Sequence, residues 1–60
     1  MQKRIDQVLS GDQIVTYRDD DTYFWDRVHG VSELNEDGLV LVTTDSARNW
    51  MTPDTVVDVV

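Results

Sequence analysis

The chain of 60 residues contains no cysteine, a single proline and only three glycines. Without cysteine, neither a disulfide framework nor a thiolate-ligated zinc site can stabilise the fold. Apolar runs fall far short of the roughly 20 residues that a membrane span needs, and no apolar stretch of signal-peptide length follows Met1–Asp6. We therefore expect a cytoplasmic protein with no membrane association.

The short chain limits the complexity of the fold. A chain of this size buries only roughly 60% of the surface that it exposes when unfolded, which is enough for one core. A deep catalytic cleft is therefore not expected. The core must provide the stability alone or together with a partner subunit.

The charge of the chain is strongly acidic. Twelve acidic residues outnumber five basic ones, which gives a formal net charge of −7. Ten of the acids are Asp, and there is only one lysine. This composition resembles that of cytoplasmic proteins from haloarchaea, where molar salt screens the self-repulsion; small domains are also acidic by chance. In a halophilic protein, net charge gives no information about partners.

The first ten residues leave two structures open. Ile5, Val8 and Leu9 have the i, i+3, i+4 spacing of one helical face, but a short strand fits the segment equally well. Beyond them the period becomes that of β-strands. We expect a lead-in over 1–10, as a short helical turn or strand, and a β-domain over 11–60.

Five strands are predicted in the rest of the chain, over 13–18, 23–31, 39–44, 49–51 and 56–60. Each is rich in β-branched or aromatic residues. The third is apolar at four successive positions, which predicts burial on both sides or a central place in the sheet. Pro53 predicts a single 3₁₀ turn over residues 52–55. The predicted fold class is all-β, as a small five-stranded barrel, because a closed sheet leaves no exposed edges.

Alternation along the second predicted strand divides its side chains between two faces. One face would carry Phe24, Asp26, Val28 and Gly30, and the other Tyr23, Trp25, Arg27, His29 and Val31. Neither set is apolar throughout. This pattern is typical of a bent or bulged strand, and a glycine in the strand is a suitable place for the bend.

Two segments resemble a known family of folds. Gly11–Val15 is similar to the glycine-aspartate-hydrophobic opening of Src-homology-3-like and KOW/Tudor-type small barrels, and Thr52–Val57 resembles the proline-containing turn before their last strand. The resemblance implies a five-stranded barrel over 11–60. The acidic-aromatic opening of peptide-binding Src-homology-3 domains is absent, so the resemblance does not imply their proline-peptide groove.

The sequence contains no catalytic or metal-binding signature. His29 is the only histidine; Asp26 is close in sequence, but no nucleophile completes a catalytic set. Asp19–Asp21 could attract a hard cation, yet the segment lacks the alternating ligands of a calcium loop. We expect no enzymatic activity, no cofactor and no specific metal site.

The aromatic residues are the candidates for binding. There are five, namely Tyr17, Tyr23, Phe24, Trp25 and Trp50. A small core needs large rings for burial, and we assign Phe24 and Trp50 to it. The candidate binding face then consists of Tyr23, Trp25, Arg27 and His29.

The favoured function is that of a non-catalytic interaction module, which binds a protein partner or a second copy of itself through this face. The alternative is nucleic-acid binding, with Arg18, Arg27 and Arg48 on phosphates and Tyr23 or Trp25 stacked on a base. Because acidic residues prevail in the chain, the alternative requires the basic side chains to cluster on one face.

Overall fold

The computed structural model describes all 60 residues and contains six β-strands and one 3₁₀ turn. The elements are β1 (Gln2–Arg4), the 3₁₀ turn (Ile5–Gln7), β2 (Gln13–Tyr17), β3 (Tyr23–Val31), β4 (Val40–Thr44), β5 (Arg48–Met51) and β6 (Val56–Asp58). The predicted all-β class is confirmed. The one helical element is three residues long, and no helix has the length and apolar character of a membrane span.

The strands form two antiparallel sheets. One has four strands in the order β2-β3-β4-β5, and the other pairs β1 with β6. An isolated bridge between Ile14 and Val59 links them. The four-stranded sheet curls, since residues of both its edge strands line the same cavity. As the sequence predicted, β4 lies inside the sheet.

The five predicted strands correspond to β2–β6, and β1 is a sixth strand from the lead-in. Both alternatives for the lead-in occur, because strand β1 runs directly into the 3₁₀ turn. The Ile5 N–H donates a hydrogen bond to the Thr55 carbonyl (2.7 Å) and the Asp6 N–H donates one to the Pro53 carbonyl (3.2 Å). These bonds fasten the lead-in to the turn before β6.

The single turn predicted over 52–55 is present. The Thr55 N–H donates to the Thr52 carbonyl (3.1 Å), which closes a single β-turn, with Pro53 at the position where its fixed φ fits. No 3₁₀ helix forms there. The 3₁₀ helix of this fold lies in the lead-in, at Ile5–Gln7.

The core consists entirely of β-branched aliphatic side chains. Its buried members are Ile5, Val8, Ile14, Val28, Val40, Val42 and Val59. β-branched residues fit well on a pleated surface, and the lead-in provides Ile5 and Val8. No aromatic ring belongs to this cluster.

The assignment of Phe24 and Trp50 to the core is therefore wrong. Phe24 is only half-buried, and Trp50 is 54% exposed. In the β4–β5 register Trp50 lies opposite Leu41, whereas its neighbour Met51 lies opposite the buried Val40. Because side chains alternate along a strand, Met51 points toward the core and Trp50 away from it.

The bend predicted at Gly30 is confirmed as a bulge in β3. Val28 pairs with Thr44, and Gly30 pairs with the adjacent Thr43, so the register shifts between them. The extra residue changes the alternation beyond this point. Val31 consequently packs against the core, which corrects its assignment to the same face as Tyr23.

The start of β2 is held by a carboxylate. Asp12 Oδ2 accepts a hydrogen bond from the Leu9 N–H (3.0 Å) and lies 3.5 Å from Lys3 Nζ. The backbone hydrogen bond from Leu9, followed by the charge of Lys3, holds the pKa of Asp12 below its usual value of 3.8. Asp12 thus connects β2 to the lead-in.

Candidate binding face

The outer face of the four-stranded sheet is the surface opposite the core. Alternation and register assign to it Gln13, Val15 and Tyr17 of β2, Tyr23, Trp25, Arg27 and His29 of β3, Leu41 and Thr43 of β4, and Arg48 and Trp50 of β5. We call this set the outer face. It includes all four residues of the predicted binding face, and each of those four is exposed.

Large aromatic rings dominate the exposed surface of the outer face. Tyr17 is 66%, Tyr23 61%, Trp25 51% and Trp50 54% exposed. Tyr17 and Tyr23 are cross-strand partners whose ring centroids lie 6.2 Å apart, with an interplanar angle of 57°. This tilted geometry is favourable for an aromatic pair. Single exposed apolar residues are ordinary on a protein surface, whereas a group of exposed rings on one face makes this face the candidate for binding.

The rings lie at the two ends of the outer face, and the basic side chains lie between them. Trp25 pairs with Val15 near the β2–β3 turn. Arg48 lies opposite Thr43 at the start of edge strand β5, and Trp50 is two residues farther along that strand. The register thus produces a basic centre, formed by Arg27, His29 and Arg48, between two aromatic ends.

The outer face contains no carboxylate, although the chain has twelve acidic residues. The acids lie in turns, in the lead-in, on β6 or on the inner side of β3. One of them, Asp45 in the β4–β5 turn, reaches the edge of the face, where its Oδ1 lies within hydrogen-bonding distance of His29 Nε2. Arg27 and Arg48 have no ion-pair partner within 4.0 Å.

The remaining basic side chains lie away from the outer face. The Arg18 guanidinium lies 4.5 Å from the centroid of the Phe24 ring, and Phe24 belongs to the inner side of β3. Lys3 pairs with Asp12, and Arg4 pairs with Asp6 at 2.8 Å. The basic cluster that nucleic-acid binding requires is therefore limited to Arg27 and Arg48 with His29.

The structure separates the residues that a catalytic arrangement would need. Asp26 is buried on the inner side of β3, whereas His29 is exposed on the outer face and pairs with Asp45. The two side chains thus point to opposite sides of the sheet.

The acidic turn between β2 and β3 has a structural role. Asp20 Oδ1 accepts hydrogen bonds from the Thr22 hydroxyl (2.6 Å) and the Thr22 N–H (3.2 Å). The hydroxyl, and then the backbone N–H, hold the pKa of Asp20 below its usual value of 3.8. Asp21 adopts a φ of 66°, in the left-handed region that Asp tolerates better than most residues. No three His, Asp or Glu side chains in the structure are grouped so that they could hold a metal ion.

Sequence reasoning missed Tyr17 and Trp50 as members of the outer face. Tyr17 could have been found, because it alternates with Gln13 and Val15 along one strand. Trp50 carries no such signal, since the short strand around it alternates without an apolar face.

Comparisons with protein-family models, curated proteins and solved structures find no match to this chain.

Proposed function

We propose that this chain is a non-catalytic binding module that docks a protein partner through the outer face. The observation that carries the proposal is the composition of that face, which combines exposed rings and arginines and lacks carboxylates in an otherwise acidic chain. Aromatic residues and arginine are enriched in protein interfaces, and Asp and Glu are depleted there. Rings placed on a rigid sheet also lose little conformational freedom on binding.

The basic centre specifies the chemistry of the partner. Arg27 and Arg48 are unpaired, so carboxylates on a partner would meet them without displacing an internal ion pair. The aromatic ends would cover apolar side chains on either side of those carboxylates. The proposed partner is therefore a protein surface on which acidic residues are flanked by apolar ones.

A second copy of this chain is the less suitable partner for the same face. Two-fold association places the same patch on both subunits. It would bring the basic centres of both copies together, without carboxylates of the face to compensate them. Self-association through the outer face is therefore disfavoured.

The test is affinity capture from the source cell with two matched double variants. Trp25→Ala with Trp50→Ala removes a ring from each end of the face, and we expect at least a tenfold loss of the captured partner. Leu9→Ala with Val56→Ala removes exposed apolar side chains elsewhere and should leave capture unchanged. Equal losses in both variants would contradict the proposal.

Charge reversal tests the basic centre. Arg27→Glu with Arg48→Glu should abolish capture of an acidic partner while circular dichroism shows the fold retained. Direct titration with a single-stranded oligonucleotide tests the alternative function. If the wild-type chain binds it with submicromolar affinity and this variant does not, the partner is a nucleic acid rather than a protein. Sedimentation of the wild-type chain should give a monomer; a dimer broken by the charge reversal would instead indicate self-association.

A further inference from the structure

A cavity of about 250 Å³ lies inside the curl of the four-stranded sheet. Its walls come from both edge strands, which do not pair with each other: Thr16 belongs to β2 and Met51 to β5. Val57 of β6 also lines it. The cavity is thus the gap that remains where the curled sheet does not close, and it is much larger than the roughly 10–15 Å³ that one water molecule needs.

A buried carboxylate lines this cavity. Asp26 is the only buried charged residue of the chain and is 3% exposed. Its Oδ2 accepts a hydrogen bond of 2.5 Å from the Ser46 hydroxyl, and no Lys, Arg or His nitrogen lies within 4.0 Å of it. A carboxylate has about four lone-pair sites on its two oxygens. Most of the acceptor capacity of Asp26 is therefore unused by the protein.

The other polar residues of the cavity can both accept and donate hydrogen bonds. Thr16, Thr44 and Asn49 line it, and the Thr44 hydroxyl already donates to the Ala47 carbonyl (3.2 Å). Apolar residues make up most of the remaining wall. Buried carboxylates in proteins are normally paired with a cation or held by several hydrogen bonds. A ligand that suits this wall carries a positive charge, has N–H donors and ends in an aliphatic stem.

We propose that this cavity binds an ammonium or guanidinium group on an aliphatic stem, with Asp26 as its counter-ion. The cationic head donates to the Asp26 carboxylate and to the neighbouring hydroxyls, and the stem packs against Ile14, Val42 and Met51. Such a group is carried by a free alkylamine or by a lysine or arginine side chain of another protein. The site is on the inner side of the sheet. Val15 and Tyr17 of the outer face also line it, whereas Trp25, Arg27 and Trp50 do not.

The test is an NMR titration of the ¹⁵N-labelled chain with n-butylammonium and n-butylguanidinium chloride at constant ionic strength. We expect saturable shifts of the Ser46, Ala47 and Asn49 amides. Asp26→Asn, which preserves the shape of the side chain, should weaken binding at least tenfold. Trp25→Ala should leave it unchanged, so that failure here and failure of the outer-face proposal are distinguishable.

A second variant covers the case in which Asp26→Asn does not fold. Ala47→Leu enlarges an exposed side chain at the rim of the cavity while Asp26 is retained, and it should weaken binding at least tenfold by occupying the space. The folded state of each variant is checked by the dispersion of its spectrum.

Three results would overturn the proposal. Equal binding of n-butanol would show a merely apolar cavity. Equal binding of tetramethylammonium or sodium would show general attraction to the acidic chain. Unchanged binding in a folded Asp26→Asn variant would show that Asp26 is not the counter-ion of the bound group. A capped lysine tripeptide distinguishes the sources: tighter binding than n-butylammonium supports a side chain of a partner protein, and weaker binding supports a free amine.

Discussion

The two sides of the four-stranded sheet differ in residue composition and in exposure to solvent. The inner side packs a core of isoleucine and valine alone, while Tyr17, Tyr23, Trp25 and Trp50 on the outer face are each more than half exposed. In so small a domain, large rings would normally be the first side chains to be buried. Their position outside the core separates the side chains that stabilise the fold from the exposed rings on which the proposed docking function rests.

The largest expected effect concerns the core. Ile5→Ala removes a fully buried side chain and should cost about 2–5 kcal/mol. A domain of this size has a total unfolding free energy of roughly 3–9 kcal/mol, so the variant should be largely unfolded at elevated temperature. Thermal and urea denaturation measure the change.

The matched control for the core is in the same segment. Leu9 is 67% exposed, and Leu9→Ala should change the unfolding free energy by less than about 0.5 kcal/mol. If both substitutions lowered the unfolding free energy by a similar amount, Ile5 and Leu9 would not differ in burial as the structure describes.

The outer rings should contribute less to stability than their size suggests. Trp50→Ala and Trp25→Ala are each expected to cost about 1 kcal/mol, because both rings remain about half in contact with water. Urea denaturation followed by circular dichroism gives the value. If Trp50→Ala lowered the unfolding free energy as much as Ile5→Ala does, Trp50 would be a core residue, and the two sides of the sheet would not differ as described.

The arginines provide a finer comparison. Arg18 lies over the Phe24 ring, and Arg18→Gln should cost about 0.5–1 kcal/mol through loss of the cation–π contact. Arg48→Gln, on the outer face, breaks no ion pair and should stay within about 0.5 kcal/mol of the wild-type chain. If the two costs were reversed, the outer arginine would have a structural role rather than a binding role.

The smallest expected effect is that of Asp12 in acid. Its pKa in the folded chain is lower than the usual 3.8, so it stabilises the fold above pH 3.8, and this contribution is lost as the pH falls below that value. Asp12→Asn should therefore be less stable than wild type at pH 7, and the difference should shrink below pH 3.8. Asp19→Asn, which removes the same charge from a residue without side-chain hydrogen bonds, should show no such convergence in denaturation curves.

Local patterns were sufficient for most strand boundaries. The polar run Asp19–Thr22 predicted the turn into β3, and Gly30 predicted the bulge, because turn chemistry and strand period are properties of neighbouring residues. The same alternation placed Tyr23, Trp25, Arg27 and His29 on one side of β3. Their role in binding stays a prediction.

Contacts between strands distant in sequence determined the features that side-chain alternation alone could not predict. The short strand around Trp50 offers no apolar face, so only its pairing with β4 determined that Met51 points inward. The cavity at Asp26 could not be predicted either, because it depends on two sheet edges that come close without pairing.

The sequence by itself determined that this protein is a small all-β domain, with an acidic chain and an aromatic-bearing strand, since composition and a period of two are read directly from neighbouring residues. The tertiary structure alone decided which rings remain exposed, that the carboxylates are absent from the outer face, and that Asp26 lines a cavity. These properties depend on which strands become neighbours and in what register, and a shift of one residue would exchange the inner and outer side chains of a whole strand.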